Sequence, residues 1–177
     1  MTDRAIVVLG IPIPSSSPVF LALVAAHVVV GLACVISGLV AMLSAKRPGR
    51  HPIAGTTYYW SLAMVFASMS VLSAMRWSED AHLFFLGVLS FTAATVGRTA
   101  RRVRWPGWLK YHIIGMGSSY ILLLTAFYVD NGPNLPVWRS LPSLVYWIGP
   151  SLVGLPILIR VLLRHPLMLQ QRHANSS

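Results

Sequence analysis

The chain has 177 residues, 55% hydrophobic and only 10% charged, against about 25% charged in a soluble domain, which excludes a water-soluble globular fold. Its net charge of +10 sits in short segments between apolar runs, where membrane insertion accounts for it, and no basic domain or reader motif speaks for nucleic-acid binding. Cys34 is the single cysteine, so an intrachain disulfide, a Cys-x-x-Cys metal site and a Cys-x-x-Cys-His attachment are excluded as well.

Crossing a bilayer core takes about 20 mostly apolar residues. Five charge-free runs meet that need: Pro18 to Ala45, His51 to Met75, Ala81 to Gly97, Tyr111 to Val129 and Ser140 to Ile159. They predict an all-α integral membrane protein with five transmembrane helices. Residues 1–17 hold an apolar run, Ala5 to Ile11, that is too short to span and lacks a small-residue cleavage site. This segment is expected to be a retained tail rather than a signal peptide. A single membrane domain is expected over 18–164, followed by a polar tail over 165–177.

Span one, about 19–44, is closed by Lys46, Arg47, Pro48, Gly49 and Arg50. Span two, about 53–75, starts after Pro52, a residue suited to a first helical turn. Ser78, Glu79 and Asp80 then offer a hydroxyl cap and two acids at the positive end of span three, about 81–97. Arg98, Arg101, Arg102, Arg104 and Lys110 fill the next loop, and span four covers about 111–129. The segment Asp130 to Pro142 is rich in Pro, Asn and Gly, so it is expected to be irregular and rigid rather than helical. Span five, about 144–163, contains Pro150 and Pro156, which should kink it.

Lysines and arginines number 3 and 5 after spans one and three and 3 from Arg160 to the C-terminus, but 1 each before span one and after spans two and four. The positive-inside rule then puts the N-terminus outside and the C-terminus in the cytoplasm. Trp105, Trp108 and Tyr111 on the inner side, and Trp77, Trp138 and Trp147 on the outer, suit interfacial belts.

Ionisable groups within a span are costly to bury and point to function. His165 and His173 belong to the tail. The other four, His27, His51, His82 and His112, fall one per span near the start of spans one to four. Because consecutive helices alternate in direction, His27 and His82 lie toward the outer face, and His51 and His112 toward the inner face. From His27 to Ser44, and from His112 to Val129, 17 residues cover about 26 Å.

Two histidines at one depth can coordinate one iron from both sides, and imidazole is a common haem ligand. A broad porphyrin needs a low helix wall beside the ligand. Gly31, Gly55 and Gly115 follow His27, His51 and His112 by four, four and three residues, which puts each on the face of its histidine. Close helix packing, which also favours small residues, is the competing reason for them. Two propionates per haem call for cations. Arg47, Arg50, Arg102 and Lys110 lie near the inner level, and Arg76 and Arg139 near the outer one; Arg76 is the more telling because topology does not call for it. Met116, one turn after His112, is an alternative axial ligand. Tyr58, Tyr59 and Tyr120 could line a quinone site or simply pack, and Cys34 is read as packing or lipid-facing.

Four histidines, one per helix and divided between two faces, resemble the transmembrane di-haem cytochromes b of the ascorbate-reducible type. The chain also resembles a family of short, uncharacterised bacterial membrane proteins with histidines at helix starts. The first likeness covers spans one to four and rests on histidine placement. It implies a four-helix haem-binding core with two non-covalent b haems, one held by His27 and His82, the other by His51 and His112. It further implies electron transfer across a bacterial plasma membrane, by a transmembrane oxidoreductase if a substrate is reduced. The chain departs from the group in having five helices rather than six, and it carries no ascorbate-binding motif. The donor is therefore left open between a quinol and a small reductant, and the acceptor between a ferric chelate and an oxidised small molecule. The lipid bilayer is the surrounding partner, and a homodimer is compatible with such a chain.

Two loops share a layout, Lys46-Arg-Pro-Gly-Arg-His51 and Arg104-Trp-Pro-Gly-Trp-Leu-Lys-Tyr-His112. The core would then be two similar hairpins related by an axis along the membrane normal. The main rival is a haem-free membrane protein whose histidines carry a divalent metal or protons. A transport path usually needs acids at mid-membrane, and Asp3, Glu79, Asp80 and Asp130, the chain's acids, all map to the outer surface.

Overall fold

A computed structural model describes residues 6–8, 11–13 and 18–164. Two three-residue strands, β1 (Ile6–Val8) and β2 (Ile11–Ile13), pair antiparallel with Ile6 opposite Ile13. Five helices follow: α1 (Pro18–Leu43), α2 (Arg50–Met75), α3 (Trp77–Val103), α4 (Trp108–Asn131) and α5 (Ser143–Arg164). All five are long and apolar enough to cross a membrane. The chain divides into two units, residues 1–85 and 86–177, with the boundary inside α3.

Helices α2 to α5 run longer than the charge-free segments, whereas α1 stops two residues short of Ala45. α3 begins at Trp77 and continues through Arg98, Arg101 and Arg102, so the expected basic loop shrinks to a tight turn. The reason is local: Glu79 and Asp80 stabilise the positive end of α3, and Arg101 and Arg102 stabilise its negative end. Ser78 is consequently the second helical residue rather than a cap. The Arg76 carbonyl takes the first bonds, from Glu79 N–H and Asp80 N–H, each at 3.0 Å.

In the first unit α1 and α2 form an antiparallel hairpin. Its centre is Cys34, Tyr58 and Leu62, all essentially inaccessible, with Ser37, Gly38 and Ala54 beside them. Cys34 packs, as one of its two expected settings, and its thiol donates to the Tyr58 carbonyl at 3.7 Å. Tyr58 is likewise a packing residue.

In the second unit the residues of α3 after Phe85 pack on α4 through small side chains. Ala94 and Ala100 are fully buried, and the Ser90 hydroxyl donates across to the Ser119 carbonyl at 2.8 Å. Helix α5 interlocks with α4 by exchanging glycines for branched side chains. Leu158 fills the space over Gly117, and Ile121 fills the space over Gly154. Helix α5 runs unbroken through Pro150 and Pro156, which membrane helices tolerate when freed backbone groups find other partners.

Segment 130–142 is more ordered than its composition suggests. Helix α4 extends to Asn131, a 3-10 turn covers Gly132–Asn134, and successive turns follow, including Arg139 N–H to the Leu135 carbonyl at 2.9 Å. Tyr146 holds the segment down. Its hydroxyl donates to the Trp138 carbonyl at 2.8 Å, with Leu141 O at 3.2 Å, and its ring lies where a side chain on Gly132 would be.

Candidate functional site

The two Pro-Gly turns start their helices in the same way. Gly49 precedes α2 with φ of 119°, and Gly107 precedes α4 with φ of 69°, conformations that side chains strain to adopt. Each turn delivers a histidine to the start of the following helix: His51 is the second residue of α2 and His112 the fifth of α4. His51 is thus helical even though Pro52 follows it, because proline fits a first turn.

Each of these histidines reaches back to the backbone of the preceding helix. Nδ1 of His51 is 2.8 Å from the Ala41 carbonyl in the last turn of α1, and Nδ1 of His112 is 3.0 Å from the Gly97 carbonyl of α3. A carbonyl oxygen only accepts, so Nδ1 carries the proton in both. In the neutral ring the lone pair then sits on Nε2. The Ala41 carbonyl has a second donor, the Lys46 ammonium at 2.8 Å, which also donates to the Met42 carbonyl at 2.7 Å. Desolvation at this helix end pulls Lys46 below the ordinary lysine value.

His27 is the tenth residue of α1, and its Nδ1 is 2.7 Å from the Ser68 hydroxyl of α2. That hydroxyl is committed to its own helix, donating to the carbonyls of Met64 and Val65 at 2.9 and 3.0 Å. When that one proton is on either carbonyl, His27 is the donor in this contact and its lone pair falls on Nε2. His82 lies in the second turn of α3 with an exposed side chain.

The glycines divide into two kinds. Around Gly31 and Gly55 a side chain would meet nothing within 4 Å, so both leave space beside their histidines. Gly115 does not. A Cβ there would stand 2.5 Å from the Ala93 carbonyl oxygen and 2.7 Å from the Gly97 nitrogen. Its missing side chain serves the crossing of α3 and α4, the packing role open to small residues in membranes.

Among the cations, the Arg76 guanidinium pairs with the Glu79 carboxylate, and Asp80 follows at 3.8 Å. This pairing gives Arg76 a local reason that needs no ligand. Arg50 and Lys110 are exposed at the starts of α2 and α4. Three features escape a reading of the sequence: Ser68 as a partner of His27, and the carbonyls of Ala41 and Gly97. Ser68 could have been flagged as a hydroxyl in an apolar span; carbonyls are common to every residue and carry no signal.

No group of three or more His, Cys, Asp or Glu side chains is placed to hold a metal ion among the described residues. A structural or catalytic divalent site usually takes three or four protein ligands, whereas a haem iron needs only two. Nδ1–H donation to a carbonyl or hydroxyl is what fixes tautomer and ring orientation in metal-ligating histidines. His27, His51 and His112 each have an Nδ1 partner of that kind, and Gly31 and Gly55 border open space.

The class that the fold supports is a multi-pass helical membrane protein. Comparison with protein-family models, with curated proteins and with solved structures gives no match that would narrow it.

Proposed function

We propose that the chain is a b-type membrane cytochrome that holds two haems and carries electrons across the bilayer. One observation carries the reading: His51 and His112, each delivered by a Pro-Gly turn, donate Nδ1–H to a carbonyl of the preceding helix. The same arrangement in two hairpins favours an internal repeat. His27 adds a third imidazole whose Nδ1 has a partner on the neighbouring helix.

The proposal sets the histidines at two levels along their helices. Along α1, His27 and the Ala41 carbonyl that anchors His51 are 14 residues apart, or about 21 Å. Along α3, His82 and the Gly97 carbonyl that anchors His112 are 15 apart, or about 22 Å. On this reading His27 and His82 serve the outer level, and His51 and His112 the inner.

Haem, when bound, supplies one-electron redox chemistry. The chain's own part is to present the ring nitrogens of His27, His51 and His112, to hold ring orientation through Ser68, Ala41 and Gly97, and to leave room at Gly31 and Gly55. Arg50 and Lys110 provide positive charge near the inner level. A quinol or small reductant is the proposed donor, and a ferric chelate or oxidised small molecule the proposed acceptor.

The test is the absorbance spectrum of the detergent-purified protein, oxidised and dithionite-reduced, with a pyridine haemochrome count. Two haems per chain with a sharp low-spin reduced band are expected. A colourless protein from haem-replete cells would overturn the proposal in favour of proton or metal transport.

A further inference from the structure

The turn between α3 and α4 is built more tightly than a connector needs to be. Arg104 has φ of 61° and is the one non-glycine residue with positive φ among the described residues. A left-handed residue after a helix is normally glycine, because a side chain is strained there. The conformation is fixed by Trp105 N–H donating to the Ala100 carbonyl at 3.2 Å, the six-residue closure of a Schellman turn. The guanidinium of Arg104 is then held over the Trp108 ring, 5.0 Å from its centroid. Trp105 meets Tyr111 edge-on at 6.1 Å.

Around this turn stand Arg101, Arg102, Arg104 and Lys110, all exposed. No carboxylate occurs in the sequence between Asp80 and Asp130, and none pairs with these four cations among the described residues. The turn between α1 and α2 is different in kind, since the ammonium of Lys46 is spent on the carbonyls of Ala41 and Met42. Positive-inside insertion needs the charges but not a strained arginine fixed on a tryptophan. Trp and Tyr sit at headgroup depth in membrane proteins, and clustered basic residues next to a span attract anionic lipid.

We propose that the α3–α4 turn is a binding site for the headgroup of an anionic phospholipid, with Arg101, Arg102 and Arg104 as its cationic contacts and Trp105 and Trp108 as its interfacial floor. Arg104, placed by the left-handed turn and the Trp108 stack, sets the geometry. The site is independent of the histidines and of the haem reading.

The experiment uses the full chain in phosphatidylcholine vesicles containing spin-labelled phosphatidylglycerol or phosphatidylcholine, and reads the motionally restricted fraction of each label. Wild-type protein should restrict the anionic label preferentially, and 1 M salt, where the Debye length is about 3 Å, should remove most of that preference. Each neutralised arginine should lower it about two- to fivefold. Arg104→Gly is the decisive variant, because glycine suits the left-handed position: it should lose preference while keeping or raising the melting temperature. Combined Arg47→Gln and Arg50→Gln changes should leave most of the preference in place. Equal restriction of the two labels by wild type would overturn the proposal. So would a preference that survives Arg101→Gln, Arg102→Gln and Arg104→Gly together.

Discussion

His112 donates its Nδ1 proton to the Gly97 carbonyl at 3.0 Å, and one turn further along α4 Gly115 lies against the backbone of that same Gly97. The close approach of α3 and α4 and the orientation of a candidate ligand are therefore one feature. Gly115→Ala would put a Cβ 2.5 Å from the Ala93 carbonyl oxygen, and backbone cannot yield as a flexible side chain can. A loss of about 1–3 kcal/mol is expected, read as a lower melting temperature in detergent. Gly31→Ala, with no protein atom within 4 Å, should leave the stability of the haem-free protein within about 0.5 kcal/mol. Equal effects of the two changes would contradict the packing role given to Gly115.

Removing single histidines should separate the two haem levels. His82→Ala is expected to lower the pyridine haemochrome count from two haems per chain to one, and His112→Ala to do the same at the other level. Redox titration should show a different component missing in each. Unchanged haem content in both variants would remove the histidines from the axial positions.

Ser68→Ala takes away the hydrogen-bond partner of His27 Nδ1, a 2.7 Å contact. Loss of such a supporting partner typically weakens metal binding about 10- to 100-fold. Apoprotein titrated with haem should show this weakening at one site only, and Ser68→Thr, which keeps a hydroxyl, should recover most of the affinity. If alanine binds haem as wild type does, His27 is not oriented by Ser68.

Arg76 offers a contrast. Its guanidinium is engaged by Glu79 and Asp80 on the adjoining turn, and exposed pairs of this kind contribute about 0–1 kcal/mol. Arg76→Gln should therefore cost little stability and leave the haem-to-protein ratio unchanged. A fall in that ratio would support Arg76 as a propionate contact.

Tyr146 joins α5 to the preceding segment through its hydroxyl bond to Trp138 at 2.8 Å. Tyr146→Phe keeps the ring over Gly132 and removes only the hydroxyl with its contacts to the Trp138 and Leu141 carbonyls, so a loss of about 1 kcal/mol is expected. Limited proteolysis across 132–142 should quicken accordingly. Gly132→Ala, whose Cβ would meet the ring at 2.7 Å, should be the more damaging change.

The sequence alone determined the five apolar helices, their basic turns and the placing of one histidine near the start of each of the first four. Such features are legible because lipid requires each spanning segment to be apolar along its own length and to satisfy its backbone within itself. Helix ends were less legible: α3 absorbs residues on both sides of its charge-free core, since helix dipoles welcome acids at one end and arginines at the other. What only the tertiary structure decided is which atoms meet. His27 finds a hydroxyl 41 residues away, and His51 and His112 find carbonyls that differ in no way from those of any other residue. Gly31 and Gly115 look alike as letters, each a turn or so beyond a histidine, yet one borders open space and the other a neighbouring backbone. That difference arises from where two helices cross, a property of the pair that neither helix encodes by itself.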